Sequence, residues 1–328
     1  LSAAYSVFVK LRALLFAQGR LKQKKLRGIV VSVGNLTLGG TGKTPMVIWL
    51  AEYFLREGKR VAILSRGYRG AGGTSDEIEV MRRHLDGRVT FGVGRNRYES
   101  GKRLEAAGSE VFLLDDGFQH LQLARDLDIV LVDGTQPLEG ARLLPSGPLR
   151  EQASALDRAD IVVVTRASAH ASIEARDSHT YSIFYARTRL SGFRLLSNRF
   201  EEKYLSEIGP GPFFAFCGIG NPKVVFDDLR KWHVNCSGTR AFRDHHRYSR
   251  YDIRWLEAAS AKAGATALVT TEKDAWNLRA LHFSSLPVYL CVITLEPSSE
   301  SEFVAAINRK LAAPSGQKAG TGEKPGRR

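Results

Sequence analysis

Gly28-Ile29-Val30-Val31-Ser32-Val33-Gly34-Asn35-Leu36-Thr37-Leu38-Gly39-Gly40-Thr41-Gly42-Lys43-Thr44 is the stretch that decides the fold. Gly28 to Val33 is an apolar, β-branched run and reads as a buried strand. A glycine-rich loop follows, and an apolar helix runs from Thr44 to about Leu55. Strand, glycine-rich loop and helix make a P-loop, although the usual pattern has Gly where this chain has Thr37. Gly39, Gly40 and Gly42 let the backbone approach a phosphate, and the N–H groups of the helix start point at the anion. Thr37, Leu38, Gly39, Gly40, Thr41, Gly42, Lys43 and Thr44 are therefore the candidate nucleotide-binding residues. Lys43 is expected at the β- and γ-phosphates and the Thr44 hydroxyl on Mg²⁺. A ligand-free glycine turn is the competing reading, and the Gly-Lys-Thr ending in this context weighs against it.

Working outward, Val61–Leu64, Val89–Val93, Val111–Leu114, Ile129–Val132 and Ile161–Val164 are further short apolar strands. Helical segments such as Asn96–Ala107 lie between several of them. The alternation predicts an α/β fold with a doubly wound, mostly parallel sheet of the P-loop NTPase kind. Residues 166–200 are polar and read as a connection. A second α/β pattern starts at Phe213–Phe216, continues through helices near Pro222–Trp232 and Asp252–Ala263, and includes strands Ala267–Thr270 and Val288–Val292. The expected organisation is a basic amphipathic helix over 1–27, a P-loop domain over 28–190 and a second, smaller α/β lobe over 191–312. Residues 313–328, rich in Gly, Pro and Lys, read as a disordered tail.

Hydrophobic residues make up 43% and charged residues 25% of the 328, which excludes global disorder. Cys217, Cys236 and Cys291 form no CxxC, so a zinc ribbon and a disulfide scaffold are excluded and a reducing compartment fits. The net charge of +14 calls for an anionic partner: nucleic acid, a phosphorylated ligand or an anionic membrane. Residues 1–27 carry Lys10, Arg12, Arg20, Lys22, Lys24, Lys25 and Arg27 and no acid. Ala4, Val7, Phe8, Leu11, Leu14 and Leu15 recur there at helical spacing. The apolar run is too short for the roughly 20 residues of a spanning helix, and its charges follow the apolar part, unlike a secretory signal. A helix lying on an anionic leaflet and a helix packed on the domain both fit. A nucleic-acid module needs a basic stripe interleaved with stacking aromatics, and that pattern is missing from the sequence.

The carboxyl ends of the strands carry the other candidates. Asp115 and Asp116 follow Val111–Leu114 on the rim of the P-loop, where one of them suits the Mg²⁺-holding role; capping a turn is the alternative. Asp133 is a weaker candidate on the same rim. Arg66 and Arg69, in Ser65-Arg66-Gly67-Tyr68-Arg69-Gly70, suit phosphate recognition or a solvated loop. Arg95 and Arg97 sit near another strand end, as phosphate contacts or as a solvated face.

The ordered set of motifs closely resembles the tetraacyldisaccharide 4′-kinases. It comprises Ser32 to Pro45, Ser65-Arg66-Gly67-Tyr68, Asp115-Asp116-Gly117-Phe118-Gln119-His120, Leu144 to Glu151, Asp244-His245-His246 and Thr270-Thr271-Glu272-Lys273-Asp274. The resemblance spans about residues 4 to 310. It implies transfer of the ATP γ-phosphate, with Mg²⁺, to the 4′-hydroxyl of a lipid A disaccharide 1-phosphate. It also implies a peripheral monomer on the anionic surface of the bacterial inner membrane, at its cytoplasmic face, with no nucleic-acid partner. The family's proposed base is the Asp of a Gly-Asp-Glu-Pro motif. Ser75-Asp76-Glu77-Ile78 keeps only its two acids, so Asp76 takes the base role; capping of a helix over Glu77–Leu85 is the local alternative. The family pairs this Asp with a histidine of the second lobe, here His245 in preference to His246. Asp76, His245 and Lys43 are then the catalytic set, and Thr44, Asp115 and Asp116 the metal set. Thr271–Asp274 is expected to order the cleft or touch the nucleotide; a capped helix start explains it as well. A membrane-associated P-loop switch or partitioning ATPase without a lipid acceptor is the alternative function.

Overall fold

The computed structural model describes residues 2–67, 75–136, 138, 140–167, 180–197 and 202–313. Of the tail expected over 313–328, only residue 313 is among them. The chain opens with α1 (Ser2–Ala17) and reaches the sheet at β1 (Ile29–Asn35). Then come α2 (Lys43–Arg56), β2 (Val61–Ser65), α3 (Asp76–Leu85), β3 (Thr90–Val93), α4 (Arg97–Ala106), β4 (Val111–Asp115), β5 (Leu127–Asp133) and β6 (Ile161–Thr165). The long β7 (Ser182–Leu195) is followed by β8 (Glu202–Lys203), α5 (Leu205–Ile208), β9 (Phe213–Cys217), α6 (Pro222–Lys231) and β10 (Cys236–Ala241). α7 (Arg250–Lys262), β11 (Ala267–Thr271), α8 (Asp274–Leu278), β12 (Val288–Pro297) and α9 (Glu300–Ala312) complete it.

The strands join one sheet in the order β10-β9-β11-β12-β7-β6-β5-β1-β4-β2-β3, with β8 on β7. The expected α/β, mostly parallel architecture is therefore present. β1, β4, β5 and β6 are buried along nearly their whole length, which is why they read as continuous apolar runs. The polar stretch 166–200, expected as a connection, instead contains β7 at the middle of the sheet. β7 is mostly half-buried, with Arg187 and Arg189 exposed, and it also carries Arg194, so it lacks the apolar signature of its neighbours. β10 was masked in the same way, by Ser237, Gly238, Thr239 and Arg240.

The register of β7 decides where the site lies. β6 runs parallel to it and ends with Thr165 opposite Ala186. β12 runs antiparallel to it and places Cys291 opposite Phe193. β11 lies parallel to β12 and ends with Thr271 opposite Cys291. The two half-sheets thus run towards each other along one strand. Their carboxyl rims stand at the levels of Ala186 and Phe193, about 23 Å apart at ~3.3 Å per residue, and face the same cleft. Ligands of open α/β sheets bind outside such rims.

The domain boundary expected at residue 190 falls inside β7, and α9, expected in the second lobe, packs on the first. Phe303, Ala306 and Ile307 of α9 enter the core formed by α2 and β1, beside Trp49 and Phe184. The Phe303 ring lies 5.2 Å from both the Trp49 and Phe184 rings and is fully buried. Such a ring removed to Ala leaves a cavity as well as losing its transfer free energy. Phe303→Ala is expected to lower stability by about 3–5 kcal/mol, read from urea unfolding midpoints.

Candidate active site

β1 ends at the buried Asn35, whose Nδ2 donates to Thr41 Oγ1 at 3.1 Å across the glycine-rich loop. Two residues at the end of β6 hold the loop from its other side. Thr165 Oγ1 donates to the Thr41 carbonyl at 3.1 Å, and Arg166 Nη1 donates to the Gly40 carbonyl at 2.7 Å. Gly42 sits at φ 92°, a conformation that glycine adopts without strain, and is the N-cap of α2. Lys43 and Thr44 are thereby the first helical residues, at the positive end of the helix dipole. Thr37, Thr41 and Thr44 are buried, whereas Leu38, Gly39 and Gly40 are exposed.

Beside the loop, β4, the sheet neighbour of β1, delivers Asp115 and Asp116. Burial pushes the Asp115 carboxyl up to about 6, and the Asp116 and Glu77 charges add to the shift. Ser65 Oγ, at the end of β2, donates to Asp115 Oδ2 at 3.2 Å. Burial also acts on Asp116, but Lys43 and Arg150 outweigh it and hold that carboxyl below its ordinary range. Arg150 Nη1 donates to both Asp116 oxygens, at 2.8 and 2.7 Å, and Lys43 Nζ stands 3.7 Å from Oδ1. Burial in turn lowers the Lys43 pKa.

Arg97 is neither a solvated face nor aimed into the cleft. It is 5% exposed, and its guanidinium donates to the Asp115 and Asp116 carbonyls at 2.7 and 3.1 Å, propping the end of β4. Arg66 follows β2 and is exposed. Arg69 lies outside the described residues. Asp133 is taken up locally, by the Thr135 hydroxyl at 2.7 Å and Arg166 at 3.2 Å.

The second half-sheet supplies the histidine. Ser75, not Asp76, caps α3, accepting from the Ile78 N–H at 3.4 Å, and this leaves the Asp76 side chain available. Asp76 Oδ2 lies 3.0 Å from His245 Nδ1. His246 instead bonds Asp252 at 3.3 Å and stacks on Phe242, so His245 is the histidine that reaches Asp76. The Asp76 hydrogen bond, against the effect of burial, lifts the His245 imidazole to about 9. Beside this pair, Lys273 Nζ bonds Glu77 Oε1 at 3.1 Å. Burial pushes Glu77 up, but Lys273 outweighs it and holds the carboxyl at about 2. Asp76, Glu77 and His245 bring three ligand atoms within 4.8 Å of one another, yet Lys273 already supplies the cation there.

The sequence assigns Glu77 and Arg150 no role of their own, and Lys273 only its place in the Thr271–Asp274 stretch expected to order the cleft or touch the nucleotide. Sequence position alone does not show that Lys273 and Glu77, 196 residues apart, are partners. Next to the site, a cavity of about 550 Å³ runs beneath α1, between Phe8, Leu11 and Leu15 on one side and Tyr98, His120 and Gln122 on the other. Burial, with Arg97, Arg125, Arg12 and Arg66 nearby, lowers His120 to about 4.

The family model of tetraacyldisaccharide-1-P 4′-kinase matches residues 1–312. The chain belongs to that family. It is accordingly an ATP-binding kinase of lipid A biosynthesis, and the switch-ATPase alternative is not favoured. The tetraacyldisaccharide 4′-kinase of Geobacter sulfurreducens is 37% identical over 336 residues, covering 94% of this chain and 92% of that protein. The Desulfotalea psychrophila enzyme of the same name is 35% identical over 315 residues, covering 88% and 89%. A crystal structure of LpxK from Aquifex aeolicus in complex with ATP superposes with a TM-score of 0.76 at 30% identity, covering 94% of this chain and 97% of that one.

The Asp76–His245 contact has a pH signature. His245 is raised from 6.5 to about 9, so its stabilising contribution is fully present below pH 6.5 and is lost as pH rises through 9. The melting-temperature gap between wild type and Asp76→Asn should be widest near pH 6.5 and close through pH 9. A gap that stays constant over that window counts against the pair.

Proposed function

We propose that this chain transfers the γ-phosphate of ATP to the 4′-hydroxyl of a tetraacyldisaccharide 1-phosphate, with Asp76 and His245 handling the hydroxyl proton. The observation that carries this reading is the 3.0 Å contact between Asp76 and His245 on the cleft facing the P-loop. A switch protein has no need of such a pair, whereas a sugar hydroxyl must lose its proton as it attacks phosphorus.

The roles follow from charge and position. The α2 N-terminus and Lys43 bind the β- and γ-phosphates, and Arg150 neutralises Asp116 so that the wall facing the nucleotide is not repulsive. With its imidazole lifted to about 9, His245 is a cation near neutrality and stands 3.0 Å from the Asp76 carboxylate. The carboxylate then accepts the hydroxyl proton, the part an Asp plays in other kinases. The Thr44 hydroxyl and the Asp115 carboxylate are hard oxygen donors and fit Mg²⁺. Asp116, with both oxygens on Arg150, fits a direct ligand less well. When bound, Mg²⁺ neutralises charge on the transferring phosphoryl group.

The acceptor is a membrane lipid, and the N-terminus supports a peripheral approach to it. Among the described residues no helix is long and apolar enough to cross a membrane. α1 is tied to the body by Arg12 Nη1 on the Gln119 carbonyl at 3.0 Å, yet leaves Val7, Phe8, Leu11 and Leu14 at least half exposed. The basic stretch from Arg20 to Arg27 follows directly, and each such cation contributes about 1 kcal/mol at an anionic surface. We place the enzyme on the cytoplasmic face of the inner membrane, where ATP is supplied.

Incubation with γ-labelled ATP, Mg²⁺ and tetraacyldisaccharide 1-phosphate in detergent micelles should give labelled bisphosphorylated lipid. Lys43→Ala should nearly abolish it, and Asp76→Ala should lower kcat by about 10²–10⁴-fold. Nucleotide hydrolysis without lipid product would overturn the reading. Phe8→Glu with Leu11→Glu should weaken sedimentation with anionic vesicles, and unchanged binding would remove α1 from the membrane role.

A further inference from the structure

Thr271-Glu272-Lys273-Asp274, where β11 passes into α8, bonds α3, which carries Asp76, and both Gly218 and Tyr248, which flank the His245 loop. We propose that this stretch is a positioning element that sets the separation of Asp76 and His245 from both sides of the cleft. In it, Asp274 holds the histidine loop and Glu272 holds α3. The inference rests on the assignment of that pair to the hydroxyl proton.

On the histidine side, Asp274 is 2% exposed and gathers four donors. Its Oδ1 accepts from the Gly218 N–H at 2.8 Å and the Tyr248 hydroxyl at 2.7 Å. Its Oδ2 accepts from Thr270 at 3.1 Å and Thr271 at 2.6 Å. Hydrogen bonds to a buried carboxylate are short and directional, so this group is fixed in place. The Gly218 carbonyl then accepts the His245 N–H at 2.9 Å, leaving one residue between Asp274 and the histidine backbone. Gly218 has no room for a side chain: a Cβ there would lie 2.9 Å from His246 Cβ and 3.2 Å from Asp274 Oδ1. His245 itself sits at φ 54°, a conformation a non-glycine residue keeps only where its surroundings impose it. Gly218 and Tyr248, both on Asp274 Oδ1, pin the loop on either side of His245.

On the aspartate side, Glu272 Oε2 lies 2.7 Å from His84 Nε2, and the Glu272 carbonyl accepts from Arg83 at 3.2 Å. His84 and Arg83 stand in the last turn of α3, whose first residue is Asp76. Lys273 grips Glu77 in the first turn. Arg194 of β7 donates to Glu272 Oε1 at 3.4 Å and ties the stretch to the central strand. Consecutive residues of one short segment thus hold α3 at both ends and the histidine loop at its base. Misplacement of reacting groups by about 1 Å costs on the order of 10²-fold, so such a device is directly visible in rate.

The test is a double-mutant cycle on the full chain. Asp274→Asn and Tyr248→Phe are each made in the wild type and in His245→Ala, and kcat and the KM for ATP are measured with tetraacyldisaccharide 1-phosphate in micelles. Each variant should lower kcat by roughly 10-fold or more in the wild type with the ATP KM unchanged. Each should lower it by less than about 2-fold once His245 is gone, because a positioning residue has nothing left to position. Equal loss in both backgrounds would mean general structural damage and overturn the proposal, as would wild-type kcat in both single variants. Tyr248→Phe keeps the ring packed against Phe216 and Phe242 and carries the test if Asp274→Asn fails to fold. A His245→Ala enzyme at wild-type rate is a separate failure: it removes the proton-pair assignment, and this inference with it.

Discussion

The antiparallel pairing of β12 with β7 is the constraint on which the rest of the structure depends. Every other pair along the sheet is parallel, apart from the short β8 on β7. One reversed pair turns the second half-sheet to face the first. The offset between Ala186 and Phe193 leaves the gap in which both carboxyl rims meet. Had β12 paired parallel to β7, the loops after β9, β10 and β11 would point away from the P-loop, and His245 and Lys273 would be lost to the site.

Within that gap the energetics are governed by charge. Asp76, Glu77, Asp115 and Asp116 converge on one cleft, and burial alone would drive protons onto Glu77, Asp115 and Asp116. Lys43, Arg150, Lys273 and His245 offset that tendency, and each carboxylate except Asp115 has a cation within 4 Å among the contacts described. Asp115 is pushed up to about 6 by burial and by the charges of Asp116 and Glu77.

How much of this was legible depended on the range of the interactions. The P-loop was readable because its chemistry is local: three glycines, a lysine and a threonine within six residues create an anion site wherever they join a strand to a helix. The buried strands were readable because burial on both faces demands unbroken apolar runs. β7 escaped notice because its outer positions are half solvated and carry arginines. The contacts of Arg97 were not legible because a guanidinium on two backbone carbonyls leaves no pattern in the sequence.

The sequence by itself determined the nucleotide loop, the α/β class and, through the ordered motifs, the family. Each rests on contacts between near neighbours or on composition along one element. The resemblance favoured His245 over the adjacent His246, but only the tertiary structure decided that it meets Asp76 and that Lys273 answers Glu77. Those pairs lie 169 and 196 residues apart. Which of two neighbouring side chains faces a cleft depends on a backbone angle, here the φ of 54° at His245. That angle is imposed by packing from β9, β11 and α8, and no local preference of the chain encodes it.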